Sequence, residues 1–177
     1  DQQSSAMDEA KSRIDGDSRY LWRFPPRRLE AEAVRDSILA VSGKLDLRAG
    51  GPGFSFFEPN DNYVRVYVPR QEWTADSFQR MVFGITVRQR PDGVFGAFDC
   101  PDAGQIAPKR SRSITPLQAF NLLNSSFVIQ QSEFFAERLA KETGNNAKAQ
   151  ARHAFVLAFQ REPDRKELDA GAKLIRE

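Results

Sequence analysis

The spacing of helix-start and helix-stop signals after residue 115 constrains this chain more than any other feature. Thr115-Pro116-Leu117-Gln118 is a capping box with proline at the first helical position, and it predicts a short helix to about Leu123. Asn124-Ser125-Ser126 resets the chain, and a longer helix is expected to about Lys141, closed by Gly144. Asn146 to Gln160 reads as the next helix, with Ala147, Ala151, Ala154, Phe155 and Ala158 as its packing face. Pro163 breaks that helix, and Asp164 with Glu167 repeats the capping pattern for a final one. Connections this short hold neighbours together, so the last four helices are expected to pack as consecutive antiparallel pairs.

The first half is less regular. Residues 1–27 read as an extended leader that docks through Tyr20, Leu21, Trp22 and Phe24 before Pro25-Pro26 stops any helix. Residues 28–177 read as a single mainly helical domain, cut short at its C-terminal end where a helix still runs at Lys173–Glu177. A helix is predicted from about Arg28 to Ser42, with Val34, Ile38, Val41 and Leu45 as one apolar stripe and Gly43 as its left-handed cap. Arg35 projects between Ala31, Leu39 and Ser42 on the flank of that stripe, where a guanidinium must pair or snorkel. It is expected to be at least half buried and to bond a carboxylate or backbone carbonyls, with Asp99 or Asp102 as first choice of partner and Arg110 and Arg112 competing for the same carboxylates.

Gly50, Gly51 and Gly53, with Pro52 and Pro59, mark a loop. No Lys-Ser/Thr follows them, so a phosphate loop is the poorer reading. Tyr63–Val68 alternates at period two, which predicts a strand. Thr74 starts a short helix through Gln79, and Met81–Val87, rich in β-branched residues, supplies a second strand. Pro91-Asp92-Gly93 is a turn. The expected fold class is therefore mainly α, a helical body with a small antiparallel β element.

Composition narrows the function classes. Apolar residues make up 40% of the 177-residue chain and charged residues 28%, so a packed core is expected rather than disorder. Net charge is +2 and is spread evenly: −1 over residues 1–60, +2 over 61–115 and +1 over 116–177. No element concentrates positive charge, so nucleic acid is not an expected partner. No apolar run approaches the ~20 residues of a membrane span.

A single cysteine, Cys100, excludes an intrachain disulfide. With one histidine, His153, it cannot make a Cys-x-x-Cys-His haem site. No cofactor is expected in this chain. A Cys100–His153 nucleophile–base pair competes with a merely buried cysteine. A carboxylate next to Cys100 raises its thiol pKa, and His153 projects away from its helix's packing face, so the buried cysteine is the better reading.

Asp92, Asp99 and Asp102 are candidates for Ca²⁺ or for an acid–base pair acting on a glycoside; the catalytic candidates are Asp99 and Asp102. Against this stands the local reading, in which aspartates in a Pro-containing turn accept backbone N–H bonds. Gln118, Asn121, Asn124 and Ser125 line one helical face. They form either a glycan- or partner-binding face or a polar network that holds two helices in register, and the second is favoured. The expected structural network comprises Arg35, Asp99, Asp102, Arg110, Arg112, Gln118, Asn121 and Asn124.

Four separated motifs carry a resemblance. Leu21-Trp22-Arg23-Phe24 followed by Arg27 to Glu32 and Val34 to Asp46 resembles the opening of the planctomycete PSD-one family, domain of unknown function 1553. Phe98-Asp99-Cys100-Pro101-Asp102, Thr115 to Asn124, and Arg161-Glu162-Pro163 with Glu167 resemble three later elements of that family, in the same order. The resemblance implies an exported protein of many domains, in a family sometimes associated with cytochrome c modules, and no established activity. Other domains of the same parent protein, and glycans, are then the expected partners. The expected function is a non-catalytic structural or interaction module. The alternative is an enzyme, or part of one, acting on polysaccharide through the Asp99–Asp102 turn.

Overall fold

Asp8 accepts the N–H groups of Ala10 and Lys11 and so starts the first helix, α1 (Glu9–Ile14). The computed structural model describes residues 5–59, 66–88, 90, 92–101, 104, 108–110 and 113–177. After α1 the leader is organised by one carboxylate. Asp15 is buried, its side chain accepts from the N–H groups of Arg19 (2.9 Å) and Tyr20 (2.8 Å), and its carbonyl accepts from Trp22 Nε1. Trp22 is partly covered, whereas Tyr20, Leu21 and Phe24 stand exposed.

Helix α2 (Ala31–Ser42) begins three residues later than the sequence suggests and ends at Gly43, whose φ of 77° closes the helix through N–H bonds to Ala40 and Leu39. Its buried residues are Ala31, Arg35, Leu39 and Ser42. The expected stripe lies to one side of this face, with Val34, Ile38 and Leu45 only partly buried against the core.

The β element differs from the expectation. Strand β1 (Phe54–Ser55) pairs with β2 (Gly84–Ile85) in parallel, not antiparallel, with Phe54 opposite Gly84 and Ser55 opposite Ile85. The two strands are separated by 28 residues that include two 3₁₀ turns, Ala75–Ser77 and Met81–Phe83. A connection of that length lets the chain cross over and return in the same direction, which a tight hairpin cannot do. Gly53 permits the close approach, since a Cβ there would strike the Phe83 carbonyl.

Of the strand expected at Tyr63–Val68, residues 63–65 lie outside the described residues, and Val66 to Val68 belong to no strand. An isolated antiparallel bridge joins Phe57 to Pro69, with Glu58 N–H donating to the Val68 carbonyl (2.8 Å). Pro69 has no N–H with which to extend it. Within Met81–Val87 only Gly84–Ile85 is strand, because the preceding three residues coil into a 3₁₀ turn whose Met81 N–H is taken by Asp36 (2.7 Å).

Aromatic rings build the core around this element. Phe54 meets Phe56 edge-to-face at 5.1 Å, and Phe127 makes edge-to-face contacts with Trp73 (5.1 Å) and Phe95 (5.6 Å). Phe127 comes from the second half of the chain, so it ties the helices to the loop-rich part.

Those helices are α3 (Pro116–Asn124), α4 (Ser126–Thr143), α5 (Ala147–Phe159) and α6 (Arg165–Arg176). Gly144 closes α4, Asn146 caps α5, and the Asp164–Glu167 capping box opens α6, each at the residue the sequence marks. Consecutive helices pack on one another, and α4 also packs on α2. The α5–α6 pair buries little, only Ala151 and Ala172, and Ala158 of the expected packing face is exposed. Among the described residues no helix is long and apolar enough to cross a membrane.

Candidate functional site

Arg35 is completely buried. Its guanidinium lies 4.4 Å from the Phe54 ring centre, 5.1 Å from Phe127 and 5.7 Å from Phe56, a cage in which the negative faces of the rings help to replace lost water. It donates to the carbonyls of Gln79 (2.8 Å) and Ser77. The nearest carboxylate paired with it is Asp36, at 4.0 Å. Burial pulls the guanidinium down to about 10, opposed by the charges of Asp36 and Asp92, so Arg35 remains a cation at neutral pH.

Asp99 is therefore not the partner of Arg35; it is already engaged. Asp99 sits at a left-handed position (φ 58°) after a 3₁₀ turn, and its two oxygens accept from the Ser113 N–H (2.6 Å) and hydroxyl (3.0 Å). Asp102 and Arg112 lie outside the described residues. Arg110 also has other partners: it bonds Glu32 at 2.7 Å and Glu30 at 3.1 Å. Burial alone would raise Glu32, but the hydrogen bond from Arg110 outweighs it and holds the carboxyl below its ordinary value.

Gln118 is the hub of the polar network. Only 3% exposed, it donates from Nε2 to the carbonyls of Ala97 (3.0 Å) and Ser113 (3.3 Å). Its Oε1 accepts from Thr115 N–H (3.3 Å), which completes the capping box, and from Arg28. Asn121 reaches the Gly93 carbonyl at 3.0 Å, whereas Asn124 turns back onto its own helix at the Phe120 carbonyl. The amide face thus fastens α3 to the 93–98 turn. Ser113 and Arg28 belong to this network and were not found from the sequence. Only the double role of Gln118, as cap residue and amide-face residue, points towards them.

The remaining catalytic candidates are dispersed. Cys100 is half-buried in a cleft that Asp92, Arg90, Met81 and Phe56 also line, and burial followed by the nearby Glu32 pushes its thiol up. His153 lies in a different cavity, between α5 and α6, where it meets Glu142 at 2.5 Å. The pair needed for a Cys–His nucleophile is not assembled. Asp92 accepts from the N–H groups of Val94 (3.0 Å) and Phe95 (2.7 Å), yet burial still raises its pKa. Among the described residues no three His, Cys, Asp or Glu side chains cluster as a metal site.

While Gln118, Asn121 and Leu122 turn inward, α3 carries three other large apolar residues outward. Leu117 is 56% exposed, Phe120 63% and Leu123 77%, and Ile114 just before the helix is 86% exposed. A surface helix normally does the reverse.

No curated protein and no solved structure matches the chain. Residues 2–175 match PSD1, described as a protein of unknown function (DUF1553). With that match running through the aromatic core, the polar network and all of the helices, the chain belongs to the PSD1 (DUF1553) family.

Proposed function

We propose that this chain is a non-catalytic interaction module, with no cofactor of its own, that docks through the outer face of α3 onto another domain of a larger exported protein. The inverted helix carries this reading. Leu117, Phe120 and Leu123 recur at i, i+3 and i+6, and Ile114 extends the stripe, so four large apolar side chains share one solvent-facing surface. Covering such a surface is favourable by roughly 25 cal/mol for each Å² removed from water, and contiguous exposed apolar patches mark contact sites. The placement in an exported protein rests on the family resemblance of the motifs.

For the polysaccharide-enzyme alternative, the surroundings of Asp99 favour the local structural role. Both oxygens of Asp99 accept from Ser113, the local backbone-holding role that an aspartate in such a turn plays. A photo-crosslinking residue at Phe120 of the protein in its native cell is expected to give one dominant protein adduct, mapped to a flanking domain. The same residue at Lys166 is expected to give none. An equal yield at both positions, or no protein adduct at Phe120, would contradict the reading.

A further inference from the structure

The leader leaves in water most of the large apolar side chains that its sequence offers. Trp22 is held through Nε1 to the Asp15 carbonyl (2.8 Å), but Tyr20, Leu21, Phe24 and Leu29 stand between 50% and 81% exposed. The backbone enforces this exposure. Buried Asp15 accepts from the Arg19 and Tyr20 N–H groups, and Ser18 and Leu21 each take a left-handed conformation, with φ of 55° and 56°. That conformation is unfavourable for leucine. A strained, hydrogen-bonded turn thus presents Leu21 to solvent.

Charge is nearly balanced over residues 1–60, yet residues 18–29 carry Arg19, Arg23, Arg27 and Arg28 and no acid. Arg19 pairs with Asp17 at 3.4 Å. Among the described residues no carboxylate pairs with the other three. Arg28 donates to the Gln118 amide, which leaves its charge unneutralised. Arg23 and Arg27 lie over the rings of Trp22 (5.2 Å) and Phe24 (4.8 Å), so cation and ring are presented together. Each of the four exposed apolar side chains stands within two residues of an arginine.

Such interleaving is complementary to a surface that is anionic outside and apolar just beneath. Guanidinium groups pair with phosphate, and large apolar side chains gain by leaving water for the boundary between headgroups and acyl chains. A soluble polyanion would engage the arginines and stack on Tyr20 and Phe24, but it offers Leu21 and Leu29 no apolar phase to enter. We propose that residues 18–29 bind the surface of an anionic membrane without crossing it. Leu21, Phe24 and Leu29 enter the headgroup boundary, and Arg23 and Arg27 meet the lipid phosphates.

The test mixes the full chain with phosphatidylcholine vesicles, with and without phosphatidylglycerol, and measures the bound fraction by co-sedimentation. Binding is expected only where phosphatidylglycerol is present. Salt at about 1 M, which shortens the reach of charge to ~3 Å, should weaken it about tenfold or more. Arg27→Gln removes one cation and should lose about fivefold in affinity. Leu21→Asn should lose about tenfold and unfold at a temperature no lower than the unaltered protein, because asparagine accepts the left-handed backbone. A merely structural leucine would give the opposite, a lower midpoint with binding unchanged. Lys166→Gln, at an exposed position on α6, should leave binding as it was. No binding, equal binding to both kinds of vesicle, binding that survives Leu21→Asn, or an equal loss from Lys166→Gln would each overturn the proposal. So would polygalacturonate or single-stranded DNA binding as tightly as the anionic vesicles, which would assign the arginines to a soluble polyanion.

Discussion

Helices α2 and α3 both turn a polar side chain towards the interior, but they leave different things outside. Helix α2 buries Arg35 among aromatic rings, with Ala31 and Leu39 on the same face, so its centre is a cation inside an otherwise apolar core. Helix α3 buries Gln118 against backbone carbonyls and leaves Leu117, Phe120 and Leu123 in water. The first arrangement closes the fold. The second fastens a helix to the body through amides and Leu122, and leaves its other three large apolar residues outside. The comparison teaches that an inward polar residue has two uses, as a strut within a core or as a tether that frees an apolar face for a partner.

Removing the strut should have the largest effect. Arg35→Met keeps the bulk but strands the Ser77 and Gln79 carbonyls and leaves Asp36 and Asp92 without the cation, a loss of about 3–5 kcal/mol by analogy with broken buried charge pairs. Chemical denaturation measures it, and an unchanged midpoint would show that the aromatic cage tolerates any side chain of this size. Asp99→Asn, on the α3 side of the molecule, should cost less, about 1–2 kcal/mol, because one of two oxygen acceptors facing Ser113 is replaced by a donor. A stable Asp99→Asn variant with altered polysaccharide hydrolysis would instead favour the catalytic alternative.

The smallest expected effect is one of slope. Burial favours the protonated form of Asp92, so the folded protein holds that proton to a higher pH than the unfolded chain does. Stability should therefore fall as pH rises from about 4, the ordinary carboxylate range, through the raised value in the folded state. Asp92→Asn should flatten that fall, with urea midpoints measured from about pH 4 to about pH 7 as the readout. An unchanged slope would mean that the Val94 and Phe95 N–H groups hold this carboxylate as well as water does.

The difference between the two halves also decides what could be read from the sequence. Gly144, Asn146, Pro163 and the Asp164–Glu167 box act on their own neighbours, so the limits of α4, α5 and α6 were legible. The pairing of Phe54–Ser55 with Gly84–Ile85 was not, because two-residue strands leave no alternation to detect and the contact spans thirty residues. The inner face of α2 is centred on what periodicity marks as the flank of the stripe through Val34 and Ile38, where Arg35 lies with Ala31, Leu39 and Ser42.

Arg35 itself was legible as a residue in need of a partner. Backbone carbonyls were among its expected partners, but which ones was not legible, because carbonyls carry no sequence signal and the first choice, Asp99, is held by Ser113. The amide face of α3 was legible from the spacing of Gln118 and Asn121. Its consequence, that Phe120 and Leu123 must then face outward, follows from the same helical wheel, although hydrophobicity alone argues the opposite; Leu117 falls beside Asn121 on that wheel, and its exposure is visible only in the structure.

The inversion of α3 is tested most directly by comparing denaturant unfolding of Gln118→Leu and Phe120→Gln. Gln118→Leu adds apolar surface but removes the partner of the Ala97 and Ser113 carbonyls, and it should lose about 1–3 kcal/mol. Phe120→Gln removes an exposed ring and should change stability by less than about 0.5 kcal/mol. The reverse order, with Phe120→Gln the damaging change and Gln118→Leu neutral or stabilising, would mean that α3 packs through its apolar face and would contradict the account.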